Sequence, residues 1–349
     1  MRHSAWLFST AAVLLAATAV APVAAAQTME ETLSNAYTQS TQLGGARAQQ
    51  RATDEQVPQA LSNWRPTVTV NGGITRTHTD IAPRAAANTS GSATGYNTQK
   101  SASVQIVQNL YRGGRTEAQT SQATNVVKAG QAQLKATEQA VLLQAAQSYL
   151  DVVRDQSTVD LNASNEAVLK RQLDAETDRL RVGEVTRTDV ALAQASYQQA
   201  RAQHTTAIGT LKTDQAAYQR VVGQAPGKLV QPVFKYELPA SLEDAVAEAE
   251  ENNPNVVAAE FVERAARDGV DLAQGARLPT IQLIGTFERL YPGPNAQASS
   301  PFFPDLGHVS HIDTGSVAAQ ISWPLFTGGL ASSQVREAKQ TANQNLIAI

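Results

Sequence analysis

Few residues in this chain have the type and spacing that chemistry needs. His308 and His311, with Asp305 and Asp313 nearby, form a donor set that could hold a divalent cation. They sit in a Gly/Pro/Ser-rich stretch without the spacing of a metal motif, so a solvated loop accounts for them and no metal is expected. His204 falls in a seven-residue repeat, which fits a packed coiled-coil position better than a ligand. Gly113-Gly114 and Gly328-Gly329 lack the Lys-Ser/Thr of a phosphate loop; a strand-to-helix turn that needs permissive dihedrals explains both. Neither Gly-x-Ser-x-Gly nor His-Glu-x-x-His occurs. The chain has no cysteine, which excludes thiolate ligands, a Cys nucleophile and a disulfide scaffold. No enzyme and no cofactor is expected, and the formal charge of −3 gives no support to nucleic-acid binding.

The elements that carry these residues are unusual in composition. About one residue in six is Ala and one in ten is Gln, while aromatics make up only 5% of the 349 residues. Ala, Gln, Glu and Lys favour helix, yet Ala buries little surface. Such a chain suits long helices packed closely through small residues. At the N-terminus, Met1-Arg2-His3 precedes an apolar run through Val20, and Ala24-Ala25-Ala26 offers a small-residue cleavage pattern. This reads as a signal peptide over 1–26, cut between Ala26 and Gln27. No later stretch approaches the ~20 apolar residues of a spanning helix.

The chain also repeats itself. Trp64-Arg65-Pro66-Thr67 is answered by Arg277-Leu278-Pro279-Thr280, and the run Val104 to Gly114 by Val317 to Gly329, at nearly one offset of about 214 residues. Each repeat holds two segments with period-2 alternation. Val68, Val70 and Ile74 oppose Thr67, Thr69 and Thr75; Val104, Ile106 and Leu110 oppose Gln105 and Asn109. Ile281, Leu283 and Phe287 oppose Gln282 and Thr286, and Val317, Ala319 and Ile321 oppose Gln320 and Ser322. Taken alone, the pattern fits a half-buried soluble sheet better than a tilted strand crossing a bilayer, and position adds weight to the second. Trp64, Tyr111, Trp323 and Phe326 lie at the strand ends nearest the helices, as an interfacial aromatic girdle would; Tyr291, Phe302 and Phe303 could form the opposite one.

Between Gly114 and Gly223 the period becomes helical. Val190, Tyr197, His204, Leu211 and Tyr218 recur every seventh residue with Ala193, Ala200 and Ala207 three positions on, and Val127, Leu134 and Val141 repeat likewise. Sustained sevens predict coiled-coil packing, and about 45 residues of helix would run some 65 Å. The break is at 182–190, where Gly183 can end one helix and Thr188 or Asp189 can cap the next.

Two repeats of helix, strand hairpin and long helical pair behind a signal peptide resemble the TolC-like outer-membrane efflux channels, also used in type I secretion. The likeness is carried by Ala-Glu-Ala-Glu-Glu-Asn-Asn-Pro (247–254), Ala-Arg-Leu-Pro-Thr (276–280), Trp-Pro-Leu-Phe-Thr-Gly-Gly (323–329) and Val-Gly-Glu-Val-Thr-Arg-Thr-Asp-Val (182–190). It implies an α+β membrane protein, with long coiled-coil helices in a periplasmic α-barrel and four antiparallel strands given to a trimeric twelve-stranded β-barrel. It implies a passive duct in the bacterial outer membrane, working as a homotrimer in outer-membrane lipid with a periplasmic adaptor and an inner-membrane pump. Gly183, Thr188 and Asp189 would then lie at the periplasmic tip, where adaptors bind.

On this reading the chain divides into a signal peptide (1–26), a first-repeat N-terminal helix (27–65), a first barrel hairpin (66–112) and a first long helical pair (113–224). A linker with the second-repeat helix (225–278), a second hairpin (279–327) and the start of a second long helix (328–349) follow. Two departures stand out. Pro58 falls inside the first helix and should kink it, and only Leu330 to Ile349 follow Gly329, so the second long pair is expected to be missing and the duct unsealed. A pore-free periplasmic or surface coiled-coil protein, or a non-functional channel fragment, is the alternative reading.

Overall fold

A computed structural model describes residues 27–81, 93–233, 239–293 and 310–349. The expected leader through Ala26, and Asp305, His308, Phe302 and Phe303, lie outside them. The chain divides into two compact units that interleave in sequence: one takes the chain up to Leu43 with Gln139–Glu237, the other Gly44–Glu138 with Leu238–Ile349. Among the described residues no helix is long and apolar enough to cross a membrane.

The first unit is helical. Helix α1 (Met29–Gln39) starts at Thr28, whose hydroxyl accepts from the Glu31 amide at 3.3 Å. It packs beside α4 (Arg115–Arg181) and α5 (Arg187–Val222) around Ala36, Ala145, Tyr149, Val152, Tyr218 and Val222. The heptad stripe on α5 is buried chiefly through its alanines: Ala193, Ala200 and Ala207 are buried, while Val190, Tyr197, His204 and Leu211 are half-buried. Small residues let the helix backbones approach, and the larger side chains flank the seam. The two long helices are unequal, 67 and 36 residues against the expected 45 or so. No Pro interrupts 115–222, so the first helix runs on until Gly183 stops it, about 100 Å at 1.5 Å per residue.

Two buried tyrosines hold the start of α1 and the segment after α5 in this unit. The Tyr218 hydroxyl lies 3.0 Å from Thr32 Oγ1. Tyr149 donates to the Val230 carbonyl at 2.5 Å and accepts from the Val230 amide at 3.0 Å. Burial pushes both phenols above their ordinary pKa. Gln27 pairs with this segment, its amide donating to the Lys228 carbonyl at 3.0 Å.

The second unit contains the sheet. The single helix expected over 27–65 is instead α1, α2 (Thr41–Asp54), α3 (Gln56–Leu61) and a short 3₁₀ turn. Its breaks fall at Ser40 and at Glu55; the second lies within one turn before Pro58, whose missing amide leaves the Asp54 carbonyl without its i→i−4 donor, the kink the sequence leads one to expect. Strands β1 (Thr67–Ile81), β2 (Ala93–Tyr111), β3 (Thr280–Tyr291) and β4 (Ile312–Ser322) form one antiparallel sheet in chain order. The repeats meet at β2–β3, with Val104 opposite Phe287. Helices α6 (Leu242–Asn252) and α7 (Pro254–Gly275) precede β3; α8 (Leu330–Ile347) follows β4 and packs on α7. The glycine pairs make the strand-to-helix turns, with φ of 66° and 74° at Gly113 and Gly114 and of 62° and 88° at Gly328 and Gly329. A Cβ on Gly113 would lie 2.5 Å from the Gly275 carbonyl oxygen, so sterics and dihedral both demand glycine there.

Candidate functional site

The sheet has two chemically distinct faces. Register places Val68, Ile106, Gly285 and Val317 in one row across it, and Val70, Val104, Phe287 and Gly315 in the next. Every large apolar side chain in these rows is substantially exposed, Val70 at 74% and Val317 at 79%. The opposite face carries Thr69, Gln105 and Thr286 in one row, and Gln282 opposite Gln320. The alternation read from the sequence extends over four strands: Val70, Ile106, Leu283 and Ile321 share one face, Thr69, Gln105 and Gln282 the other, with Gln108 an exception on the first and the Val107–Ile284 pair on the second. Leu110 departs from it. A bulge between Asn109 and Tyr111 takes it out of register and brings Tyr111 opposite Ile281 on the apolar face.

At about 25 cal/mol per Å2, so much exposed apolar area would be a severe cost in water. Among the described residues β1 and β4 also leave their outer edges unpaired, which soluble sheets avoid. Trp64, Tyr111, Trp323 and Phe326 all lie at the strand ends joined to helices and are all exposed. The Trp323 indole donates to the Arg277 carbonyl at 3.2 Å, fixing the ring at that border.

The helical turn in the first unit is built from capping groups. Gly183, with φ of 81°, donates to the Leu180 carbonyl, and Glu184 donates to that of Arg179, the paired bonds of a Schellman stop. The cap of α5 is Thr186, not Thr188 or Asp189. Its hydroxyl accepts from the Asp189 amide at 3.3 Å, and the Asp189 carboxylate accepts from the Thr186 amide at 2.9 Å. Asp189 is thus the reciprocal partner in a capping box, and Thr188 lies between the two. Bonds from the Thr186 hydroxyl and amide hold the Asp189 carboxyl below the usual carboxylate range. The Thr-x-x-Asp spacing was visible in the sequence and names the cap.

Further along the pair, His204 Nδ1 lies 2.7 Å from Glu166 Oε2, a helix-to-helix bridge consistent with its heptad position. Arg154 contacts Asp151 at 2.8 Å, Asp155 at 2.9 Å and Asp214 at 3.6 Å. A hydrogen bond to Asp155, then burial, raises the Asp214 pKa. Of the histidine cluster considered as a metal site, His311 and Asp313 are described. Asp313 is instead held in two bonds of 2.6 Å by Arg289, and no residue group suited to a metal occurs among the described residues.

Residues 32–224 and 245–348 match the family model described as outer membrane efflux protein. The chain belongs to the outer membrane efflux protein family. Within that family it is 34% identical to the outer membrane efflux protein BepC of Brucella suis over 340 residues, 97% of this chain and 70% of the relative. It is 27% identical to the outer membrane protein TolC of Vibrio cholerae over 90% of this chain and 68% of that one. Against TolC of Escherichia coli it spans about half the relative's length, 49%. The fold matches crystal structures of CusC with a TM-score of 0.72 at 16% identity, covering 92% of this chain and 71% of that one. The outer membrane protein VceC of Vibrio cholerae gives 0.69 at 18%, covering 91% and 74%. This member of the outer membrane efflux protein family is thus an outer-membrane efflux channel subunit with periplasmic helices. The family comprises oligomeric channels that work with efflux machinery, and they are not enzymes.

Proposed function

We propose that three copies of this chain give four strands each to a twelve-stranded barrel whose apolar face meets lipid and whose Thr/Gln face lines the lumen. The observation that carries this is the sheet itself: two faces, exposed apolar side chains and two open edges. Four strands cannot close a barrel, since the smallest single-chain examples have eight. Open edges in lipid leave backbone groups unsatisfied at several kcal/mol each, so closure must come from other copies. The aromatics at the helix-side border mark the periplasmic interface. The helical pair 113–224 is the duct wall, and the turn at Gly183, Thr188 and Asp189 is the tip that meets a periplasmic adaptor. Transport is passive, driven by an inner-membrane pump.

Cysteine scanning tests the assignment on a background that has none. Single cysteines at Val70, Ile106, Leu283 and Ile321 should resist a water-soluble thiol reagent in membranes, and those at Thr69, Gln105 and Gln282 should react. Equal labelling of both sets, or a stable monomer in detergent that keeps its β-sheet signal, would end the barrel reading.

A further inference from the structure

The basic residues of the four strands are distributed unevenly. They are Arg76, His78, Lys100 and Arg289, and all lie toward the strand ends away from the helices. Register puts all four on the apolar face, since Arg289 is opposite Ala102 and Lys100 is opposite Ile74. The opposite face at the same levels carries Thr75, Thr77, Gln99, Ser101 and the acid Glu288, with Leu290 opposite Ile312, and no cation.

Their heights follow from strand geometry. At 3.4 Å per residue and about 40° of tilt, the Arg289 row stands about 21 Å above the row of Ile281 and Tyr111. The Lys100–Tyr291 row is at about 26 Å and Arg76 at about 31 Å, against an apolar band of ~25 Å in outer-membrane barrels. The deepest cation, Arg289, is the one neutralised in the two-bond pair with Asp313. Lys100 and Arg76 stand at or beyond the band's edge, and among the described residues neither has a carboxylate partner. Arg76 rests over the Tyr96 ring at 4.7 Å and His78 stacks on that ring at 4.5 Å. Tyr291 and His311 pair at 6.2 Å. Asp80, opposite Thr94, follows His78 on the same face; amphipathic rings with two cations that have no carboxylate partner among the described residues, above an apolar band, make an interfacial girdle with a basic rim.

Resting on the orientation proposed above, we infer that this rim binds the phosphates of an anionic, phosphorylated lipid in the outer leaflet. Arg76 and Lys100 carry the contact, with the Arg289–Asp313 pair as the neutral floor beneath. Guanidinium and ammonium groups at headgroup height match phosphate in charge and in hydrogen-bond donors.

The test uses the full chain reconstituted in zwitterionic phosphatidylcholine vesicles, with and without bis-phosphorylated lipid A, alongside the double variant R76Q/K100Q and each single variant. Insertion into pure phosphatidylcholine, read as protection from protease, checks folding and orientation for every protein. The native chain should retain lipid A through detergent extraction at least tenfold better than the double variant. Retention should fall with added salt and with dephosphorylated lipid A. Equal retention by native and double variant, or indifference to the phosphates, overturns the inference while the barrel reading stands. Failure of the native chain to insert into phosphatidylcholine overturns the barrel reading and the inference with it.

Discussion

Arginine at Val70 and at Thr69 makes adjacent substitutions with opposite consequences. Both side chains are exposed in the chain by itself, so neither change meets a steric obstacle within it. Val70 lies in the row of Val104 and Phe287, about 16 Å above the Ile281 row and so close to the middle of a ~25 Å band. An arginine facing lipid there costs about 2–4 kcal/mol. In a trimer three copies enter together, about 6–12 kcal/mol per assembly, comparable with the whole stability of an ordinary domain. V70R should therefore fail to insert, or should unfold at much lower urea in vesicles. T69R faces the lumen and should insert normally while shifting single-channel ion selectivity toward anions. Urea titration of reconstituted protein, followed by tryptophan fluorescence, measures the first effect, and planar-bilayer recording the second. Equal destabilisation by the two variants, or T69R as the worse, would refute the assignment of faces.

Three further outcomes follow from the caps, the carboxylates and the turns. T186A should cost about 1 kcal/mol at the start of α5, read as faster amide exchange over its first turn. Because the Asp189 pKa is depressed in the fold, its share of that stability is present above the ordinary carboxylate value and lost as pH falls through the native one. Exchange in the native chain should accordingly rise on acidification, and T186A should blunt the rise. The raised Asp214 value has the opposite sign: the shared proton stabilises below the ordinary value of about 3.9 and is lost as pH rises through the native one. D214N keeps a donor toward Asp155 at every pH, so it should stabilise by about 0.5–1 kcal/mol at pH 7 in urea melts and by nothing near pH 3. G114A meets open space and carries only the strain of its positive φ, whereas G113A also collides with the Gly275 carbonyl and Leu278. G113A should be the costlier by at least about 1 kcal/mol in the same melts.

Much of this architecture was legible because its periods are long and clean. Alternation over β1–β4 fixes which residues share a face whether or not the neighbour is known, and the two glycine pairs announce turns that only permissive dihedrals allow. Features that depend on register or on a third element were not legible. The Arg289–Asp313 pair joins residues of different strands whose alignment no local pattern gives. Nothing local to Tyr149 signals that it closes hydrogen bonds on a coil segment some eighty positions away. Pro58 announces the break at Glu55, one turn before it, whereas the break at Ser40 has no comparable signal in the sequence.

The pairing of β2 with β3 carries a kinetic consequence. Tyr111 and Ile281 are neighbours in the sheet but stand about 170 residues apart in the chain, so their contact closes a long loop and must form late. At roughly 5–20 residues per second, β3 emerges some 10–30 s after β2 has left the ribosome. During that interval the first hairpin has an apolar face, a free edge and no partner, which is the profile of an aggregation-prone intermediate. A factor that shields residues 67–111 until the second repeat arrives should therefore raise the yield of folded protein. Slowing release of the second repeat should harm yield more than any single core substitution.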